Sequence, residues 1–271
     1  MEIREIVLTS KRNTDLYCTE VVPEKPDGAL AVFVHGFCAE RTEGGRFISV
    51  AKKLAEQGFY SIMMDQSGCG HSEEPFDNYD LFHSISDIRT CVDHMFENYD
   101  IDEKRMAMVG YSMGGRIAAI YVNYIDPRFQ TVGLWAAAIN EGKEMENFLI
   151  APDGHSYVAE AIAKGYAEYL NDFDGRILHL SNDFYRGFLD YSPVLAMKKY
   201  SGNVIVVHGT ADSTVDPSVG KRCYTNLTTQ KEKELVLIEG ANHGFGLWDD
   251  HMEQSEILVN KTADFILRCI K

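Results

Sequence analysis

Short, mainly apolar segments alternate along the chain with stretches of helical spacing. Ala29–Val34, Phe59–Met64, Arg105–Val109, Thr131–Ala137 and Asn203–Val207 have the pattern of strands buried on both faces. Arg46–Gln57 sets Phe47, Val50, Ala51 and Leu54 at helical spacing and stops at Gly58. Further helices are predicted over Asp80–Tyr99, Met113–Tyr124, Ser192–Tyr200, Pro217–Asn226 and Met252–Ile270, with one more strand over Lys233–Glu239. Ile3–Leu8 and Leu16–Val22 predict a hairpin turning at Lys11-Arg12-Asn13. Such alternation implies right-handed crossovers and a mostly parallel sheet covered on both faces, with the hairpin as an antiparallel edge.

The rhythm breaks between Asn140 and about Leu189. This stretch is rich in aromatic and polar residues and has no clear strand–helix alternation. The expected organisation is one α/β core, residues 1–139 and 190–271, with residues 140–189 inserted as a cap. The cap is expected over the C-terminal edge of the sheet, where open α/β sheets place their sites.

Composition narrows the partners. At 271 residues, 45% hydrophobic and 25% charged, the chain has the makings of a substantial core. A net charge of −15 with no basic run argues against nucleic acid or an anionic membrane surface. The six cysteines form no C-x-x-C pair and are not grouped with histidine, so reduced thiols are expected and a metal site is not. Cys38 alone falls near the candidate site. The first residues lack a secretion signal and no apolar stretch reaches membrane-span length, so the expected location is cytoplasmic. The assembly is left open, a homodimer included.

The candidate chemistry begins at Gly110-Tyr111-Ser112-Met113-Gly114-Gly115, between a predicted strand and a predicted helix. A sharp strand-to-helix turn strains the serine backbone and projects its hydroxyl above the sheet, beside a helix N-terminus that favours negative charge. Glycines two before and two after let strand and helix approach. A serine hydroxyl needs a base, and the base needs an orienting carboxylate, which follow in the order acid then histidine. After Asn203–Val207 the chain offers Asp212 and Asp216. Asp216 precedes Pro217 and has the look of a helix N-cap, so Asp212 is the expected acid. His243 sits among glycines after Lys233–Glu239 and is the expected base. His251 falls at the start of the last helix, and His35 and His208 precede glycines at strand ends, where they brace loops. Two backbone N–H donors are expected to hold the oxyanion: Met113, after the nucleophile, and Phe37, after His35-Gly36. The turn Asp65-Gln66-Ser67-Gly68-Cys69-Gly70 lacks a phosphate-binding lysine and is read as structural.

His35-Gly36-Phe37, Asp65-x-x-Gly68-x-Gly70-x-Ser72, the Ser112 turn, His208-Gly209-Thr210-Ala211-Asp212 and His243-Gly244-Phe245 stand in the order of the α/β-hydrolase superfamily. The chain further resembles the small bacterial feruloyl (cinnamoyl) esterases in its length, its His-Gly-Phe loop and its insert of about fifty residues. The resemblance implies an α/β-hydrolase fold with an eight-stranded sheet and a cap. It implies a cofactor-free serine carboxylesterase acting on small hydroxycinnamate esters. In that family a tyrosine near the end of the insert helps hold the phenolic hydroxyl, and Tyr185 in Asp183-Phe184-Tyr185-Arg186-Gly187-Phe188-Leu189 matches it. The acidic partner of that tyrosine has no secure counterpart; Lys143 falls near its place, beside Glu141 and Glu144. His35 and Trp135 join Tyr185 as expected substrate contacts. A monoacylglycerol-type lipase, a thioesterase and a small serine aminopeptidase share the same triad. A non-catalytic binding protein on this fold would be expected to carry a damaged one.

Overall fold

A computed structural model describes residues 1–228 and 231–270. Residues 229, 230 and 271, assigned above to the core, lie outside the described residues. In chain order the elements are β1 (Glu2–Thr9), β2 (Asp15–Val22), β3 (Leu30–Val34), α1 (Arg46–Ala55), β4 (Tyr60–Met64), α2 (Leu81–Asn98), β5 (Met106–Tyr111), α3 (Met113–Tyr124) and β6 (Phe129–Trp135). Then follow α4 (Glu146–Leu149), α5 (Tyr157–Lys164), β7 (Tyr166–Leu170), β8 (Ile177–Ser181), α6 (Asn182–Asp190), α7 (Pro193–Lys199), β9 (Asn203–Gly209), α8 (Pro217–Asn226), β10 (Lys233–Ile238) and α9 (Met252–Cys269).

Eight strands form one sheet in the order β1-β2-β4-β3-β5-β6-β9-β10. The β1–β2 and β2–β4 pairs are antiparallel and the remaining pairs parallel. This is the α/β-hydrolase sheet, with the hairpin as its antiparallel edge. Period-two alternation sorts the strand side chains between two cores. Leu30, Val32 and Val34 face one core with Met106, Met108, Leu134 and Val206. Ala31 and Phe33 face the other with Val109, Trp135 and Val207. Helices α2, α3, α7 and α8 supply the first core, and α1 and α9 the second.

Residues 140–191 stay outside the eight-stranded sheet. They hold α4, α5 and α6 and a separate antiparallel hairpin, β7–β8, in which Tyr166 pairs with Ser181 and Leu170 with Ile177. This hairpin escaped the sequence reading because its strands are short and half exposed, so neither a buried run nor a clean alternation marks them. Ser156, Ser181 and Ser192 cap α5, α6 and α7 by accepting backbone N–H bonds. All six cysteines are free thiols. Among the described residues no helix is long and apolar enough to cross a membrane.

Candidate active site

The turn after β5 is made possible by missing side chains. A Cβ on Gly110 would stand 2.4 Å from the Gly114 carbonyl oxygen, and one on Gly114 only 2.1 Å from that of Val34. Between them Ser112 is held at φ 53°, ψ −117°, a conformation that persists only where the surroundings over-determine it. They do: its N–H donates to the Trp135 carbonyl at 2.8 Å, and its carbonyl accepts from Ala138 at 2.9 Å and Arg116 at 3.2 Å. The side chain is left free to project at the N-terminus of α3.

Two loops from the far side of the sheet meet it. Asp212, after β9, is 4% exposed. Its Oδ1 accepts the Thr214 and Val215 N–H groups at 2.9 Å each. Its Oδ2 lies 2.7 Å from His243 Nδ1, and His243 Nε2 lies 3.0 Å from Ser112 Oγ. With the proton on Nδ1 donating to Asp212, Nε2 is left to accept from the serine hydroxyl. Burial works against the Asp212 carboxylate, but hydrogen bonds from His208 and His243 outweigh it and hold the group well below the usual carboxylate range. Asp216 instead caps α8 through Ser218 N–H, with Pro217 next. His251 is exposed at the start of α9.

His208 is fully buried and does more than brace its loop. Its Nε2–H donates to the Val215 carbonyl at 2.8 Å and lies 3.3 Å from Asp212 Oδ2. It therefore helps fix the carboxylate that orients His243.

On the other side of Ser112, the amides of Met113 and Phe37 have no protein acceptor among the described residues. The Gly36 N–H is already taken, by Glu43 Oε1 at 2.6 Å. The Phe37 ring packs within 5.4 to 6.3 Å, centroid to centroid, of Phe76, Tyr79, Phe148, Tyr169 and Phe184, and so joins the loop to the insert. A narrow cleft opens beside Met113 between Tyr79, Leu81, Arg116, Phe184 and Phe188.

Two expected substrate contacts are corrected by their placement. Trp135 is fully buried and points to the α1/α9 side of the sheet. Its Nε1–H donates to Thr262 Oγ1 at 2.8 Å, and its ring lies 5.1 Å from Phe47. Strand alternation decides this, since the neighbouring Leu134 takes the face toward the insert. His35 is also fully buried. Its Nδ1–H donates to the Gly36 carbonyl at 2.8 Å and its Nε2 accepts the Gln66 N–H at 2.9 Å. Burial lowers its affinity for a second proton. Both ring nitrogens are used and no edge is left for a substrate.

Tyr185 is 1% exposed, packed edge-on against Phe184, and its hydroxyl has no hydrogen-bond partner among the described residues.

Arg116 is a residue the sequence reading passed over. It is buried on α3, and among the described residues no carboxylate forms an ion pair with it. Instead it donates to the carbonyls of Phe188 at 2.6 Å and Tyr191 at 3.1 Å, and stacks over the Phe188 ring. Burial lowers its pKa to about 10. The signal was a lone cation in the apolar run Met113–Val122, since a buried charge must find acceptors. Here it ties the insert to the helix that follows the Ser112 turn.

The sheet, the strained serine turn and the hydrogen-bonded Ser112–His243–Asp212 chain define the α/β-hydrolase class. Within it, residues 25–247 match the family described as serine aminopeptidase, S33, and the chain belongs to that family. Est1E from Butyrivibrio proteoclasticus, solved with ferulic acid bound, superposes with a TM-score of 0.78 at 21% identity, over 98% of this chain and 99% of that one. A monoacylglycerol lipase of Paleococcus ferrophilus superposes with a TM-score of 0.70 at 16% identity, over 93% and 98%. At such identities the likeness is one of fold. Esterase LipC of Mycobacterium tuberculosis is 24% identical over 243 residues, 87% of this chain, which spans 57% of LipC.

Proposed function

We propose that the protein is a serine carboxylesterase. The observation that carries this reading is the unbroken hydrogen-bonded chain from Asp212 through His243 to Ser112, beside two amides that have no acceptor among the described residues. His243 Nε2 takes the Ser112 proton as Oγ attacks the ester carbonyl. Asp212, kept anionic, holds the imidazole and stabilises its cation. The N–H groups of Met113 and Phe37 receive the oxyanion. His243 then protonates the leaving alcohol and activates the water that releases the acid.

Among esters, we infer a preference for hydroxycinnamates, with residues 140–189 as a cap over the site. The pocket beside Met113 has aromatic walls. The Tyr185 hydroxyl is buried and has no hydrogen-bond partner among the described residues, a state that costs about 1–3 kcal/mol until a partner is found. The ferulic acid complex of Est1E, on the same fold, supports the same substrate class.

The test has two layers. A fluorophosphonate is expected to label wild type and not Ser112→Ala; equal labelling overturns the nucleophile assignment. A panel of methyl ferulate, methyl p-coumarate, short and long p-nitrophenyl esters, an acyl-CoA and an aminoacyl anilide then separates the acyl classes. Poor turnover of the hydroxycinnamates beside fast cleavage of another member overturns the finer reading. The anilide arm tests the peptidase activity after which the family is named.

A further inference from the structure

One buried ion pair is tied, directly or through one neighbour, to the segments that carry Phe37, Ser112 and His243, and takes part in none of the steps above. Glu43 lies in the loop between β3 and α1, 4% exposed, with a left-handed backbone at φ 50°, a conformation uncommon for a residue with a Cβ. Its Oε1 accepts the Gly36 N–H at 2.6 Å and its Oε2 lies 3.2 Å from Arg46 Nη2. Arg46, 3% exposed, returns Nε–H to the Glu43 carbonyl at 3.0 Å and sends Nη1–H to the Gly244 carbonyl at 2.6 Å. Its guanidinium stands over the Tyr111 ring, 5.0 Å from the centroid. The Tyr111 hydroxyl in turn donates to the His243 carbonyl at 2.9 Å. The residue before Phe37, the residue before Ser112, and His243 with its successor are thus fastened to one pair.

Packing alone does not ask for these charges. Apolar side chains of similar volume commonly stabilise a core as well as a buried ion pair does, because desolvation cancels much of the attraction. The cost is visible in Glu43, whose carboxyl burial pushes up to about 7 even though Arg46 and the Gly36 N–H pull it down. What the pair supplies and hydrocarbon does not is directed bonds to the backbone of two loops far apart in sequence. One of them carries the proposed oxyanion amide and the other the proposed base. An ångström of error between such groups costs on the order of 10²-fold in rate.

We propose that Glu43 and Arg46 are positioning residues that set the oxyanion loop at Phe37 in register with His243, so that amide and imidazole address the same tetrahedral centre. This rests on the esterase reading. The pair acts through Gly36, Tyr111 and Gly244 and does not touch the substrate.

The experiment compares the wild-type chain with Glu43→Gln and with the double variant Glu43→Gln/Arg46→Met, which leaves no unpaired charge behind. Activity is measured on a short p-nitrophenyl ester and normalised to sites titrated by fluorophosphonate; melting temperature is followed alongside. Glu43→Gln keeps an acceptor for Gly36 and loses the charge that orients Arg46. The double variant also loses the bond to Gly244. The expected result is a kcat about 10-fold lower in the single variant and about 10²-fold lower in the double, each with KM within about threefold. Inhibition by a boronic acid, which forms a tetrahedral adduct at Ser112, weakens in parallel. A double variant whose kcat per titrated site is within twofold of wild type overturns the proposal, whatever its melting temperature. If the double variant fails to fold, the same criterion is applied to Glu43→Gln. A wild type that neither cleaves an ester nor takes the label overturns the esterase reading as well, a result distinct from an active wild type matched by its variants.

Discussion

Around Ser112 the chain packs backbone against backbone, whereas residues 140–191 pack ring against ring. In the turn, the distances that exclude a Cβ run to carbonyl oxygens of Gly114, Val34 and His35, and main chain cannot rotate out of the way. In the insert, Phe148 stacks on Tyr169 at 5.3 Å, Phe184 on Phe188 at 5.6 Å, and Arg116 donates to the carbonyls of Asn140, Phe188 and Tyr191. Side-chain contacts of this kind repack at modest cost. On the function proposed above, the difference divides the labour: the turn would fix where bonds are made and broken, and the insert would set what shape is admitted.

The largest expected effect lies on the rigid side. Asp212→Asn leaves the sheet in place and mis-sets the His243 tautomer, so kcat is expected to fall on the order of 10⁴-fold. The same carboxylate contributes stability with a definite sign. Its folded-state pKa is lowered, so its contribution is present above the unfolded carboxyl value of about 3.9 and is lost as pH falls below it. The melting-temperature gap between wild type and Asp212→Asn should be full at pH 7 and close in acid; a gap constant down to pH 2 contradicts this.

Gly114→Ala comes next. With nowhere for the new methyl, unfolding stability should drop by about 3 kcal/mol and Tm by roughly 5–10 °C. A variant with wild-type Tm shows that the turn yields to a Cβ.

On the insert side, Phe188→Ala removes a ring buried against Phe148, Phe184 and Arg116. A loss of about 3 kcal/mol is expected. KM for aromatic acyl esters should rise, while fluorophosphonate labelling of Ser112 stays within about threefold. Labelling that collapses instead shows that the insert shapes the chemistry too.

The smallest effect is the sharpest. Tyr185→Phe removes a buried hydroxyl with no partner among the described residues and should leave the protein as stable or about 1 kcal/mol more stable. If that hydroxyl pairs with a phenol, KM rises for methyl ferulate and not for methyl cinnamate; equal changes exclude the pairing.

How much of this is legible in the sequence depends on the range of the interaction involved. The helix Met113–Tyr124 is found with the bounds the spacing predicts, and Pro217–Asn226 likewise, because capping and periodicity are local. Strand ends moved by one or two residues, as with β6, which begins at Phe129 and ends at Trp135. The choice of Asp212 over Asp216 turned on the Asp216-Pro217 cap, another local feature, and the structure brings Asp212 to His243. Trp135 and His35 were placed wrongly. A strand end does not announce which face a side chain takes, nor whether a ring nitrogen already has a partner in another loop.

Taken alone, the sequence determined the alternation of strands and helices, the serine turn and the loops after it that carry Asp212 and His243. Each rests on neighbours within a few residues, where backbone sterics and periodicity leave few alternatives. Only the tertiary structure decided that Arg46 reaches Gly244, that Tyr111 holds the His243 carbonyl, that His208 bears on Asp212 and that Arg116 anchors the insert. Most of these contacts join residues far apart in the chain and are made by groups that burial forces to find partners. Which partners they find is settled by how the layers stack.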